Sequence, residues 1–417
     1  MTPEIKQRMA QIRRGEVPEG YKNTPVGVIP SNWKIQPLGM SCLIADGMHQ
    51  TPQYTSQGVP FVSVENIGRI DGTNKFISRD AFDKFKIKPR ENDIFMTRIT
   101  AGIIGETEII RASTPLAYYV SLALIRIIAP EEIDVIFLNH FINCHIFKKE
   151  LYKRIIHTAF PKKINLNEIG ECVTVIPPLG EQQKVASILT TQDKVIELKE
   201  KRLAEKHRQK KHLMQQLLTG KKRLPGFYEA WSFPKARELF QSVSDKDHNG
   251  DLAVLSSTQN RGIVPRVEVD IDIKYDTSSL INYKKVSKGN FVISLRSFQG
   301  GIEYSTYTGL VSPAYTVLAS RKEISDEYYK QFFKSADYIN RLNVAVYGIR
   351  DGKQISYEDF GRLRIPYPPI KEQDAIAEVL STADHEIDLL QQDIEQEKQK
   401  KKALMQLLLT GIVRVEV

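Results

Sequence analysis

Apolar residues return every three or four positions along two stretches of this chain, 177–220 and 368–411. In the second stretch Ile387, Leu390, Ile394, Glu397, Lys401, Leu404 and Leu408 alternate by three and four. The matching places of the first are Ile196, Lys199, Leu203, Lys206, Lys210, Leu213 and Leu217. This is a thin heptad seam, apolar at both ends and charged in the middle. Each stretch opens on a Pro-Pro pair, which cannot sit inside a helix, and stops at a Thr-Gly suited to a C-terminal cap. The pattern predicts two helices of about forty residues, each rising ~60 Å at ~1.5 Å per residue.

The two stretches are copies of one another. They align without a gap at a constant offset of 411 − 220 = 191, with about 19 of 44 positions identical. Upstream, Trp33 and Trp231 each open a domain at an offset of 231 − 33 = 198. The same offset places Arg98 over Arg296 and Pro115 over Pro313. The chain therefore reads as two similar halves, each a domain followed by one long helix. Duplication makes a pseudo-twofold axis available, and an axis perpendicular to two such helices makes them antiparallel.

Ahead of each long helix the chain reads as short strands, then a helix, then a last strand. Strands are predicted near 59–64, 93–99 and 118–127, then a helix over 131–154 and a strand at 172–176. The second half gives strands near 252–256, 291–296 and 315–319, a helix over 326–342 and a strand at 363–365. Each domain is expected to be α+β with a twisted, largely antiparallel sheet. The expected division is a polar helical arm over 1–20, domains over 21–176 and 221–367, a long helix over 177–220, and a second long helix with a C-terminal tail over 368–417.

Three cysteines, Cys42, Cys144 and Cys172, form no CxxC pair and suit a reducing cytosol; Cys144 falls in an apolar stretch and is expected in the core. The N-terminal segment is charged throughout and no apolar run approaches the ~20 residues of a membrane span, so a cytoplasmic protein is expected. The net charge of +9 favours a polyanionic partner. The first long helix concentrates its lysines and arginines between Lys199 and Arg223, whereas the second mixes Asp388, Asp393, Glu395 and Glu397 with lysines. Pairing against the acidic neighbour and contact with phosphates both account for that charge.

Catalytic signatures are absent. Gly348 to Lys353 is one residue too short for a phosphate-cradling loop, and Gln354 stands where such a loop needs Ser or Thr. No GxGxxG follows a strand, and Tyr367-Pro368-Pro369 and Ile176-Pro177-Pro178 lack the polar residue that grips a flipped base. Glu197-Leu198-Lys199 matches a nuclease fragment but lies on a long helix, and the histidines lack metal-ligand spacing. No catalytic centre, metal or cofactor is expected.

A duplicated domain-plus-helix chain with Pro-Pro-x-x-Glu-Gln opening each helix and Leu-Met-Gln-x-Leu-Leu-Thr-Gly closing it resembles the specificity subunit of type I restriction-modification enzymes. The motifs are Glu181-Gln182 with 213–220 and Glu372-Gln373 with 404–411; 294–303 and 347–356 resemble loops of the family's target-recognition domains. The first half departs at 159–169, where no Arg-Asp-Gly-Lys occurs. The resemblance implies two target-recognition domains, each reading one part of a split, asymmetric DNA site. It implies helices that act as a coiled-coil spacer and dock two methyltransferase subunits, to which restriction/translocase subunits are added. It implies no catalysis by the subunit itself. The alternatives are a helical scaffold joining two protein-binding domains without DNA sequence specificity, and an enzyme fragment with its own methyl-transfer or cleavage activity.

Candidate DNA-binding residues follow from chemistry and position. Arg98 and Arg296 end matching strands, where a guanidinium forks onto guanine or phosphate or else makes a structural salt bridge. Tyr347, Arg350, Lys353 and Gln354 crowd one polar turn, with Lys162, Lys163 and Asn165 as first-half counterparts. His49, Gln50 and Gln53 lie in an early polar turn, and Lys246, His248, Asn249 and Arg261 in similar turns of the second half. Glu181, Gln182, Glu372 and Gln373, with Leu213, Met214, Leu217, Leu404, Met405 and Leu408, are candidates for helix pairing or partner binding.

Overall fold

The computed structural model describes residues 2–111, 115–259, 261–269, 277–295, 297–345 and 355–416. The chain divides into two compact units, Met1–Leu198 with Ile394–Val417, and Lys199–Asp393. The boundary falls inside each long helix, Leu179–Leu217 and Ile370–Leu408. Each unit thus holds the start of one long helix and the end of the other.

In the first unit a four-stranded antiparallel sheet has the order Cys42–Asp46, Leu122–Ile127, Ile94–Thr97, Thr107–Ile109. Cys42 lies opposite Ile127, and Phe95 lies between Leu124 and Glu108. Strand residues point alternately to the two faces, and both faces are covered here. Ile94, Met96, Ala123 and Ile125 pack with helical Phe137, Phe141, Phe147 and Leu151. Phe95, Leu122 and Leu124 pack on the other side with Val62, Ile70 and Tyr118. A strand buried on both faces must be apolar at nearly every position, which is why 94–96 and 122–125 read as unbroken runs.

The second unit repeats the sheet as Phe240–Val243, Thr316–Ser320, Phe291–Ile293, Glu303–Tyr304. Phe291 and Ile293 face helical Tyr329, Phe332 and Phe333, while Val292 and Val317 face Leu255, Ile263 and Val286. The chain is thus a mixed α+β protein of repeated domains.

One element departs from expectation in both units. The helix predicted over 131–154 is two helices, Val135–Ile142 and His145–Arg154, parted by an extended Cys144. Its counterpart over 326–342 is Asp326–Phe333 followed by Ala336–Ala345. Apolar residues flank each break, so the periodicity runs on while the axis turns to keep both segments on one core. Cys144 is buried there, and burial pushes its thiol up to about 11. The N-terminal arm contains a helix, Pro3–Arg13. Among the described helices none is long and apolar enough to cross a membrane.

Within each unit the long-helix segments run antiparallel. In the first, Gln192 donates to Glu397 at 2.6 Å and Asp193 pairs with Lys401. In the second, Lys199 meets Asp393 at 2.7 Å, Lys206 meets Glu386, and Lys210 meets Asp384. In the second unit partner numbers fall as the others rise; in the first, Leu404, Leu408 and Leu409 reach the core that holds Val185 and Leu189, near the start of the other helix. The lysines of the charged seam therefore face acids of the neighbouring helix.

Candidate nucleic-acid interface

Arg98 follows the strand Ile94–Thr97 and is 8% exposed. Its Nη1 donates to Asp46 Oδ2 at 2.9 Å and to the Val120 carbonyl at 2.9 Å, and its Nε donates to the Ile164 carbonyl at 3.2 Å. Burial lowers the pKa of the guanidinium and Asp46 opposes that shift. An uncompensated buried cation would be costly, so the salt bridge and carbonyls hold three segments of chain on this one group. The structural ion pair, one of the two roles the sequence leaves open to Arg98, is formed.

Around Arg98 the structure gathers most of the first-half candidates. His49 Nε2 lies 3.2 Å from the same Asp46 Oδ2, and His49, Gln50 and Gln53 are exposed. Their turn is pinned where Met48 donates to the Tyr118 carbonyl and Val120 donates back to Met48. A Cβ on Gly47 would lie 2.0 Å from that carbonyl oxygen, so only glycine allows the approach. Lys162 and Lys163 form a two-residue strand opposite Thr100 and Ile99. Both are exposed, and neither is ion-paired with a described residue. Asn165 is exposed at the start of the short helix Leu166–Gly170. Nearby, half-buried Lys148 donates to the Gly105 carbonyl, and desolvation pulls its ammonium down to about 8.

The second-half candidates are less concentrated. His248 accepts from Gly250 N at Nδ1 (3.1 Å), which leaves Nε2 to donate to the Tyr283 carbonyl at 2.9 Å. Its ring therefore closes a turn, beside exposed Lys246 and Asn249. Arg261 is exposed and pairs with Glu268. Arg296, Tyr347, Arg350, Lys353 and Gln354 lie outside the described residues.

The helix-end candidates form two matching anchors. Glu181 accepts from Trp33 Nε1 at 2.9 Å and from Arg414 at 2.6 and 2.9 Å. Glu372 accepts from Trp231 Nε1 at 2.8 Å and from Arg223 twice at 2.6 Å. Each arginine also lies over its indole, 5.9 Å and 5.2 Å from the ring centre. Gln182 takes the Asp134 amide and donates to the Glu132 and Pro177 carbonyls. Gln373 takes the Ser325 amide and donates to the Pro368 carbonyl. The Glu-Gln pair thus rivets the helix start to its own domain.

Leu404, Met405 and Leu408 pack on the first core, and Leu213, Met214 and Leu217 on the second. The sequence marks Trp33 and Trp231 as domain openings without giving them, Arg223 or Arg414 a part in an anchor. The signal was available, since Arg223 and Arg414 stand at the same 414 − 223 = 191 offset.

Among the described residues no cluster of His, Cys, Asp and Glu could hold a metal ion. The interface offers instead lysine ammonium groups, amides and an imidazole on a braced base. That is the chemistry of phosphate and base-edge contact.

The family of the type I restriction modification DNA specificity domain matches residues 47–206 and 223–399. A Methanocaldococcus jannaschii protein named as the MjaX type I restriction enzyme specificity subunit is 26% identical over 95% of this chain and 97% of its own. The MjaVIII specificity subunit of the same organism is 27% identical over 58% of this chain and 62% of its own. A chain from a structure of type I restriction-modification complex assembly superposes with a TM-score of 0.61 at 16% identity, covering 92% of this chain and 99% of that one. The type I restriction-modification system S subunit from M. genitalium does so with 0.52 at 14% identity, over 90% and 96%. At such identities the structures speak for the fold alone.

Proposed function

Because this chain belongs to the type I restriction-modification DNA specificity family, we propose that its two domains read the two halves of a bipartite, asymmetric DNA site. The family is one of non-catalytic specificity subunits that serve DNA recognition within a type I complex. In the finer reading, residues 21–176 and 221–367 are target-recognition domains and 1–20 an arm. The helices over 177–220 and 368–417 form a coiled-coil spacer with a pseudo-twofold relation between the halves. They set the gap and dock two methyltransferase subunits, to which restriction/translocase subunits attach. Half-sites separated by about one helical turn, ~34 Å, would lie on one face of the duplex.

One observation carries this reading: both units share one sheet order and one Trp-Glu-Arg anchor, while their exposed polar turns differ in composition. A repeated frame bearing unlike surfaces suits two unlike sequences. In the first domain His49, Gln50, Gln53, Lys162, Lys163 and Asn165 face the duplex, with Arg98 positioning them. In the second, Lys246, His248, Asn249 and Arg261 take that part, together with Arg296, Tyr347, Arg350, Lys353 and Gln354.

Removing equal helical increments from both long helices tests the spacer. The preferred gap should shorten while each half-site keeps its bases, as read from the methylated genome of a host carrying the variant and its partners. An unchanged gap refutes the spacer role.

A further inference from the structure

Phe160 is 89% exposed, the most exposed of the described phenylalanines. It occupies the apex of a short loop, 157–162, whose ends are closed by the bridge between Ile156 and Lys163. One side of the loop is held by His157, whose ring packs 4.6 Å from that of Tyr152 and contacts the Tyr152 carbonyl at 3.1 Å. The other side is held by the pairing of Lys162 and Lys163 with Thr100 and Ile99, and by Arg98 at the Ile164 carbonyl. The adjoining turn after Thr100 carries Ile103, itself 64% exposed. A pinned loop thus holds a benzyl group in water, which forgoes the free energy of burying it.

The charges beside the ring say what would bury it. Lys162 and Lys163 are consecutive strand residues, so their side chains leave the ribbon on opposite faces. Neither has an acidic partner among the described residues. An apolar tip followed by two cations on opposite faces of its ribbon matches an apolar slot flanked by anions. The step between stacked base pairs, with phosphates on either side, is such a slot. An apolar wedge driven into one unstacks it and kinks the duplex.

Resting on the reading that the first domain contacts DNA, we propose that Phe160 is a wedge that enters one base-pair step of the duplex, with Lys162 and Lys163 on the flanking phosphates. Ile103 supports the wedge from the adjoining turn. The second domain has a different sequence, 347–354, in the corresponding place, so the distortion belongs to one half-site.

The full wild-type chain, with its methyltransferase partner, is used to enrich duplexes from a randomised pool. The enriched duplex is then resynthesised with 2-aminopurine at successive positions. Wild type should raise 2-aminopurine emission several-fold at one step in one half-site. Phe160→Ala should abolish that signal and weaken binding roughly tenfold or more, with the salt dependence retained. Lys162→Ala with Lys163→Ala should instead lower the salt slope by about two and keep the signal at saturation. Because Phe160 has so little packing to lose, Phe160→Ala should melt with wild type.

Unchanged affinity and emission in Phe160→Ala overturn the wedge and leave DNA reading intact. Loss of methyltransferase association with DNA contacts unaltered also overturns it and assigns the tip to a protein surface. Failure of wild type to enrich any duplex removes the DNA reading beneath it.

Discussion

The anchors at the helix ends and the polar turns beside the sheets match between the two units to different extents. Glu181 with Trp33 and Arg414 is reproduced by Glu372 with Trp231 and Arg223, contact for contact. The brace of Asp46, Arg98 and His49 is not, because the 198 offset places Ser244 where Asp46 stands and Asp247 where His49 stands. Glu181 and Glu372 are buried and need all their partners at once, whereas Asp46 and His49 lie nearer the surface and lose less by changing. The frame is constrained by folding, and the surface is free to acquire a second specificity.

The largest effect should come from emptying an anchor. Glu372→Ala leaves Arg223 and the Trp231 indole without their acceptor, and Glu181→Ala does the same to Arg414 and Trp33. Each should cost about 3 kcal/mol, because the arginine left behind is partly exposed and regains water. Urea unfolding followed by the emission of the two tryptophans measures both. A loss below about 1 kcal/mol at one site alone would end the equivalence.

Next come the caps. Gly220 and Gly411 both have positive φ, +72° and +69°. A Cβ on Gly411 would lie 2.5 Å from Pro30 Cδ and Cγ, whereas on Gly220 the nearest atoms are 3.1 Å away on Trp231. Gly220→Ala should therefore cost ~1 kcal/mol from backbone strain, and Gly411→Ala ~2–3 kcal/mol with overpacking added. Equal melting temperatures for the two variants would show that Pro30 yields.

The subtlest contrast concerns acid. His140 is buried in the first unit with Nε2 3.9 Å from Asp193, which pairs with Lys401. At the 191 offset the second unit has Gln331 donating to Asp384 at 2.7 Å, beside Lys210. Burial first, then Lys401, depress the imidazole to about 4, against the pull of Asp193 and Asp134. The unfolded chain takes up that proton near pH ~6.5. Stability is therefore full above that pH and falls as pH drops toward about 4. Near pH ~5 the loss should be on the order of 2 kcal/mol, and His140→Gln, which copies the second unit, should remove this part of the acid sensitivity. An identical pH profile in the variant would refute the assignment.

How far these features are legible in sequence depends on the range of the interaction. The helix limits come from Pro-Pro and Thr-Gly, local signals with local causes, and the charged seam is explained once the two copies are set against each other. The helix break at Cys144 is different. Neither Asn143 nor Cys144 forbids a helix, and the extended Cys144 (φ −78°, ψ 161°) answers to the packing of Phe141 and Phe147 on one core. Arg98 was legible as a cation at a strand end. Its partner Asp46 lies 98 − 46 = 52 residues away, and no periodicity specifies which distant carboxylate a guanidinium will find.

The interleaving of the long helices bears on how the chain is made. Synthesis delivers Met1–Leu198 first, then the whole of Lys199–Asp393, and only afterwards Ile394–Val417. Until those residues emerge from the ribosome, the first unit lacks Leu408 and Leu409 from its core and Arg414 from Glu181. The part translated earliest is thus completed last, after a unit whose own pieces arrive in one continuous run. A nascent chain cut short before Ile394 would leave an apolar groove uncovered, which is the mark that chaperones and proteases recognise.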